Sequence, residues 1–255
     1  MAHRIGIAGI SGRMGRLLAE EVRTAGAELT GGIALDAPEG LGVTLFPDIA
    51  AMAAVSDVII DFTHASATQA HAAAMAASGK AWVLGTTGLS AADEADVEAA
   101  ATRIPVVQAS NFSAGVNLVL ALAERMGATL PAETYDAEIV EMHHRQKVDA
   151  PSGTAVAMGR AVAKGRGVLL DEVMESGRHG HTGARKTGAI GFAALRGGQV
   201  VGEHSLIFAS GTEHIVLTHR AFDRRTFATG AVRAAHWVVS QPPRLYSMMD
   251  VLGMA

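Results

Sequence analysis

Apolar positions along the first hundred residues fall in short runs separated by stretches of helical spacing. "RIGIAGI" (4–10) is one such run. After a glycine-rich turn, "RMGRLLAEEVRTAG" (13–26) sets Met14, Leu17, Leu18 and Val22 at helical intervals, which predicts strand, tight turn and helix. The pattern recurs: "LTGGIALD" (29–36), "DVIIDFT" (57–63), "AWVLGTT" (81–87) and "IPVVQAS" (104–110) read as strands, with alanine-rich helical stretches between them. Such alternation predicts a parallel, doubly wound, Rossmann-like sheet. From about residue 134 the pattern changes. "TYDAEIVEMHH" is strand-like, and residues 188–222 show successive strands broken by Gly-Gly and Ser-Gly-Thr turns, which predicts an antiparallel or mixed sheet. A helix over 225–241 comes next and ends at Pro242-Pro243. The expected fold class is α/β, with residues 1–112 and 223–255 forming one domain and 113–222 an α+β second domain.

Composition narrows the function. The 255 residues are 49% hydrophobic, ample for buried cores. A net charge of −4 and only 4% aromatic residues supply neither a phosphate-tracking face nor base-stacking platforms, so nucleic acid is not an expected partner. The absence of cysteine removes disulfides, thiolate metal sites and thiol nucleophiles together. The apolar stretch at the N-terminus breaks at glycines and is too short for a signal peptide or a membrane span, which predicts a cytoplasmic protein with no membrane partner.

"GISGRMG" places glycines at 9, 12 and 15, a variant of the dinucleotide fingerprint. In that reading Gly9 makes the tight turn, Gly12 lets the backbone approach a pyrophosphate, and Gly15 allows close packing of helix on sheet. Ile10, Ser11, Arg13 and Met14 complete the loop, and the anion sits at the helix N-terminus. A glycine-rich turn can also merely join strand to helix; what favours binding is the position between a strand and a helix, with Asp36 ending the next strand. Asp36 would accept hydrogen bonds from the adenosine ribose and repel a 2′-phosphate, which favours NADH, while Arg13 keeps NADPH open. Asp36 is equally explained as the start of a turn. Gly85, Thr86 and Thr87, and Ala109, Ser110, Asn111 and Phe112, come after two later strands, on the edge where ligands of open α/β sheets bind. Asn111 is a candidate for the nicotinamide carboxamide.

The chemistry concentrates in "HHRQKVDAPSGTA" (143–155), where charged residues run into Pro151 at an expected helix start. With "GISGRMG", "DFT", "GTTG", "SNFS", "GHTG" (180–183), "GEH" (202–204) and "TFATGAVRAA" (226–235) in this order, nearly the whole chain resembles the dihydrodipicolinate reductase family. The resemblance implies NADH or NADPH as hydride donor, a substrate domain between the two parts of the nucleotide domain, a homotetramer assembled through the substrate-domain sheet, and a place in the diaminopimelate route to lysine. It implies that His143 is the acid-base residue, Lys147 a proton donor, His144 a substrate contact, and Gly153 with Thr154 the binding pair for a substrate carboxylate. Gln146 stands where some members carry histidine, and Ala37 where some carry arginine.

The implied substrate, a small cyclic imine with two carboxylates, needs the concentrated positive charge that this loop and a helix N-terminus provide. His179 and His181 are two apart, but no further ligand occurs at recognisable spacing, so no metal is expected. Two other readings share the dinucleotide loop: another two-domain dehydrogenase, of the homoserine or semialdehyde type, and a non-catalytic NAD(P)H-sensing module. Without cysteine a thiohemiacetal mechanism is excluded, and a sensor has no use for the charged second site.

Overall fold

The computed structural model describes residues 2–34, 36 and 42–254. They divide into two compact units, Met1–Ala114 with Arg224–Ala255, and Gly115–Asp223.

In the first unit, β1 (Arg4–Ala8), α1 (Arg13–Thr24), β2 (Glu28–Ile33), α2 (Ile49–Val55), β3 (Val58–Asp61), α3 (Thr68–Ser78), β4 (Ala81–Leu84), α4 (Ala91–Ala101) and β5 (Pro105–Gln108) alternate along the chain. The remaining elements are α5 (Ala114–Thr129), β6 (Asp136–His143), α6 (Gly153–Gly165), α7 (Leu170–Val173), β7 (Met174–Ser176), β8 (Ile190–Arg196), β9 (Gly202–Ala209), β10 (His214–Ala221), α8 (Arg225–Val238), β11 (Arg244–Tyr246) and α9 (Met248–Val251).

The six strands of the first sheet run in the order β11-β5-β4-β3-β1-β2, and every pair is parallel. β3 and β4 are buried throughout because helices cover both faces of the sheet, which explains why their sequences read as unbroken apolar runs. One core layer joins Ile5, Ile7 and Val83 to Leu18 and Val22 of α1 and to Ala231, Ala235 and Val238 of α8. The other packs Trp82, Leu84 and Val106 against Met52, Met75 and Val97. The chain leaves β1 toward β2 on one side and returns to β3 on the other, so the sheet has its topological switch point there. The paired strands end before the runs expected from sequence: at Ala8, Ile33, Asp61, Leu84 and Gln108. Each of these ends opens into a loop, and the strands being parallel, the loops share one edge of the sheet. The sequence does not predict β11; past Pro242-Pro243 the tail pairs in parallel with β5.

The second unit holds a mixed sheet in the order β10-β9-β6-β8-β7. Residues 188–222 do not form successive antiparallel neighbours throughout. β9 and β10 are a hairpin, but β8 and β9 flank β6, with β8 parallel to β6 and β9 antiparallel to it. The Gly197-Gly198 turn is bound to the end of β6 instead: the Gly197 N–H donates to the His143 carbonyl at 2.9 Å, and the Arg145 N–H to that of Gly198. One face of this sheet carries the core, with Ile139, Ile190, Leu206 and Phe208 under Met158 and Val162 of α6 and Ala123 of α5.

Candidate active site

The conformation of the glycine loop can be understood from what each glycine would strike if it had a side chain. Gly9 has φ +83°, and a Cβ there would lie 2.7 Å from the Phe62 carbonyl oxygen. At Gly15 a Cβ would overlap the Gly9 carbonyl oxygen, so only glycine lets α1 approach β1 this closely. A Cβ at Gly12 would touch only the Gly9 oxygen, at 3.2 Å, and otherwise meet open space. Gly12 is the N-cap of α1 and offers no side chain to its first N–H groups. A bare helix start at the switch point, with room where a side chain would stand, fits a dinucleotide pyrophosphate. Arg13 is exposed, Ser11 and Met14 are half-buried, and Ile10 is wholly buried in the core and can offer only main chain.

Asp36 is exposed beyond the end of β2; Ala37 lies outside the described residues. Gly85, Thr86 and Thr87 come directly after β4. A Cβ at Gly85 would overlap the Phe62 ring, and the Thr86 hydroxyl donates to the Thr63 carbonyl at 3.3 Å. After β5, Ala109 and Ser110 lead to Asn111, whose Oδ1 accepts from the Ser113 N–H at 2.9 Å. Phe112 is a core residue: its ring packs on Phe62 at 5.5 Å, and a Cβ at Gly230 of α8 would overlap its carbonyl. Asp61, wholly buried, holds the 62–64 loop by accepting from the Thr63 N–H and hydroxyl and from His71 Nδ1 at 2.7 Å. Neither Asp61 nor His71 is a site residue by sequence pattern, since their pairing spans a strand end and a helix.

In the second unit the charged loop is built on a buried network. Strand alternation turns Ala137, Ile139, Glu141 and His143 to the covered face of β6, so a glutamate and a histidine continue an apolar row. The Glu141 carboxylate is 1% exposed and has four donors. His143 Nδ1 lies at 2.6 Å, the two Arg196 guanidinium nitrogens at 2.8 Å each, and the Ser152 N–H at 3.1 Å. Burial alone would raise this carboxyl, but Arg196 and His143 together hold it below the ordinary carboxylate value. His143 goes down: burial outweighs the attraction of Glu141, and the charges of Lys147 and Arg196 add to the effect. Beside it lies His204 of β9, ring to ring at 5.0 Å, with its Nε2 2.9 Å from the Ser152 hydroxyl. Burial first, then the His143 charge, pushes His204 down to about 4. A Cβ at Gly202 would lie 2.9 Å from His143 Nε2, which accounts for glycine in "GEH".

Beyond β6 the chain turns back on itself. The His144 N–H donates to the Val200 carbonyl, while its ring Nδ1 is buried with no hydrogen-bond partner among the described residues. Lys147 Nζ rests on both oxygens of Asp149 at 2.8 Å, and Arg196 takes the Asp149 carbonyl at 2.6 Å. Pro151 is not the first helical residue that the sequence predicts. Ser152 is the N-cap of α6, its hydroxyl accepting from the Ala155 N–H, and Gly153 and Thr154 open the helix. A Cβ at Gly153 would meet nothing within 4 Å. Thus His143, His144, Lys147 and the start of α6 belong to one short, tightly tied segment. Its ties are Glu141, Arg196 and His204, none of which the sequence singles out as a site residue.

A cavity of about 530 Å³ lies elsewhere in this unit, lined in part by Arg178, Thr182, Arg185 and Lys186. Both arginines are already paired within the unit, Arg178 with Glu138 and Glu175 and Arg185 with Asp136 and Glu138. Among the described residues no cluster of His, Cys, Asp and Glu could hold a metal ion, and no helix is long and apolar enough to cross a membrane.

An all-parallel sheet with a glycine turn at its switch point, joined to a mixed-sheet unit carrying a buried His–carboxylate pair, is the architecture of a dinucleotide-binding protein with a second, polar site. Two family models divide the chain, "Dihydrodipicolinate reductase, N-terminus" over residues 3–112 and "Dihydrodipicolinate reductase, C-terminus" over 115–252. The 4-hydroxy-tetrahydrodipicolinate reductase of Granulibacter bethesdensis is 64% identical over 253 residues, covering 98% of this chain and 97% of that one. Its counterpart in Rhodopseudomonas palustris is 50% identical over 268 residues, covering 99% and 98%. Among solved structures, a dipicolinate-bound dihydrodipicolinate reductase from a Paenisporosarcina species has the same fold, with TM-score 0.80 at 24% identity over 98% of this chain and 99% of that one. The NAD complex of GenD2 from gentamicin A biosynthesis shares it more distantly, with TM-score 0.64 at 13% identity over 99% and 91%. The chain belongs to the dihydrodipicolinate reductase family, whose members are nicotinamide-dependent reductases, and that membership sets aside the sensor and the other dehydrogenase readings.

Proposed function

We propose that this chain reduces 4-hydroxy-tetrahydrodipicolinate to tetrahydrodipicolinate with NAD(P)H, in the cytoplasm and on the diaminopimelate route to lysine. One hydride and one proton are added, and the hydroxyl leaves as water. The observation that carries this reading is the segment 143–154, which joins a carboxylate-bound histidine, a lysine and a helix N-terminus in a few residues. Two carboxylates on the substrate need that much positive charge.

The first unit holds the nucleotide: Gly9, Ile10, Ser11, Gly12, Arg13 and Met14 surround the pyrophosphate, and Asp36 takes the ribose, favouring NADH over NADPH. Gly85, Thr86, Thr87 and the main chain of 109–112 border the nicotinamide. When bound, the nicotinamide supplies the hydride. In the second unit, Gly153 and Thr154, which open α6, receive a carboxylate at the positive end of the helix. His144 contributes its unpartnered Nδ1. Lys147 leaves Asp149 for the incoming carboxylate and donates a proton, and His143 serves as acid and base through Nε2. The assembly is a homotetramer built on the uncovered face of the second sheet.

Because the substrate is unstable, the test generates it in place. The preceding synthase, given pyruvate and aspartate semialdehyde, feeds the enzyme while NADH absorbance is monitored. Lys147→Ala should lower turnover by about 10²-fold or more with NADH affinity little changed. Synthase-independent NADH oxidation, or a variant that loses NADH affinity instead, counts against the reading.

A further inference from the structure

We propose that Glu141 is a positioning residue for the reduction: its carboxylate, shared with Arg196, fixes the His143 ring with Nδ1–H inward and presents Nε2 to the reacting atoms. This deepens the reading of His143 as the acid-base group and rests on it.

A buried carboxylate is costly unless every lone pair is met, and Glu141 is met from three directions. His143 comes from its own strand, Arg196 from β8, and the Ser152 N–H from the approach to α6. An ionised carboxylate only accepts, so the proton between it and His143 sits on Nδ1, and the exchangeable position is Nε2. That nitrogen lies against Gly202, where a Cβ would come within 2.9 Å of it, so only glycine leaves it room.

Arg196 explains why the pair is useful. A carboxylate alone would favour the imidazolium of His143 and make it a weaker proton donor. The guanidinium fork takes up much of that charge, so the ring is oriented without being locked in its charged form. The charged and titratable groups facing His143 are Glu141 on β6, Arg196 on β8, His204 on β9 and Lys147 on the loop; His219 of β10 acts on His204 in turn. Binding of a dicarboxylate adds negative charge and favours the imidazolium, whose Nδ1–H is already bound. The Nε2 proton then leaves without a ring flip. The same carboxylate ties down the start of α6 through Ser152, and Arg196 ties the Lys147 loop through the Asp149 carbonyl. A single negative charge therefore sets the register between acid-base ring, lysine and carboxylate site.

The test is a double-mutant cycle on the intact enzyme in the synthase-coupled assay, with NADH binding measured by fluorescence. Glu141→Gln keeps the size and removes the charge. It should lower kcat by about a hundredfold, leave NADH affinity as it was, and move the alkaline limb of the kcat/KM profile, where the donating imidazolium is lost, to lower pH. In a His143→Gln background the same substitution should cost almost nothing more, since Glu141 acts through that ring. Independent, multiplying losses in the double variant, or an unchanged pH limb, would overturn the proposal while His143 kept its role. If His143→Gln itself retains full turnover, the acid-base reading falls, and the positioning role with it. Should Glu141→Gln not fold, Glu141→Asp retains the charge but withdraws it by one methylene, and the same loss and the same non-additivity are expected.

Discussion

His204 is the residue whose environment makes the most direct statement about stability. Its ordinary value of 6.5 falls to about 4 in the fold, chiefly through burial. Between those values the unfolded chain binds a proton that the folded one refuses, so stability is complete above about pH 6.5 and falls as pH drops toward about 4. A gap of about 2.5 between the two values, at about 1.4 kcal/mol each, amounts to roughly 3.5 kcal/mol. Urea unfolding at pH 7 and pH 4.5 measures it. His204→Gln, which keeps a donor for Ser152 but cannot titrate, should flatten that dependence; an equally steep loss in the variant would remove His204 as its source. At this scale the sequence is only partly legible. His143 and Lys147 stand out by residue type, and the structure puts them in one loop. Glu141 is visible only through alternation, as the acidic member of the row Ala137, Ile139, Glu141, His143. Arg196 and His204 reach that row from two other strands, and nothing local in the chain announces the pairing.

Among the elements, α6 carries the clearest dependence of function on local structure. Its buried stripe, Ala155, Met158, Gly159, Val162 and Ala163, keeps helical spacing and seats the helix on the second sheet, so its N-terminus is held in place by packing. Ser152 then does three things at that end: its hydroxyl caps Ala155 and meets His204, and its N–H meets Glu141. Ser152→Ala removes the first two and keeps the third. The lost cap costs about 1 kcal/mol and the deprived His204 a similar amount, so the melting temperature should fall. Affinity for 2,6-pyridinedicarboxylate, a planar substrate analogue, should weaken more than kcat, because the Glu141–His143 pair survives. A loss confined to kcat would contradict this division of labour. Element types are legible from periodicity, but partners are less so. β8 and β9 look like neighbours because only a glycine-rich turn separates them, yet β6 lies between, and that order depends on contacts across the chain. β11 is three residues long, too short for periodicity to mark it.

For the whole molecule, the second sheet poses a question that one chain does not answer. Its covered face holds the core and the His143 network; its other face carries an apolar cluster bordered by Glu138, Glu203, Ser205, Thr218 and Arg220. Leu195 and Val216 are 50% and 55% exposed, and the pairing of β6, β8, β9 and β10 sets them on the same side as Val140, Met142, Ala193 and Ile207. A mixed sheet that faced water permanently on that side would carry polar residues at those positions. An exposed apolar cluster with a polar border has the composition of an interface, and symmetric copies of the same sheet are the cover expected of the proposed homotetramer. Leu195→Lys places a charge in the middle of the patch. In the homotetramer it would be desolvated without a partner, so sedimentation equilibrium should show the wild type as a tetramer and the variant as smaller species. NADH binding is assigned to the other unit and should persist in the variant. Turnover should fall to the extent that β6, the strand carrying Glu141 and His143, depends on its neighbours for rigidity. A wild type that sediments as a monomer at micromolar concentration would reject the tetramer and leave the patch for a different partner.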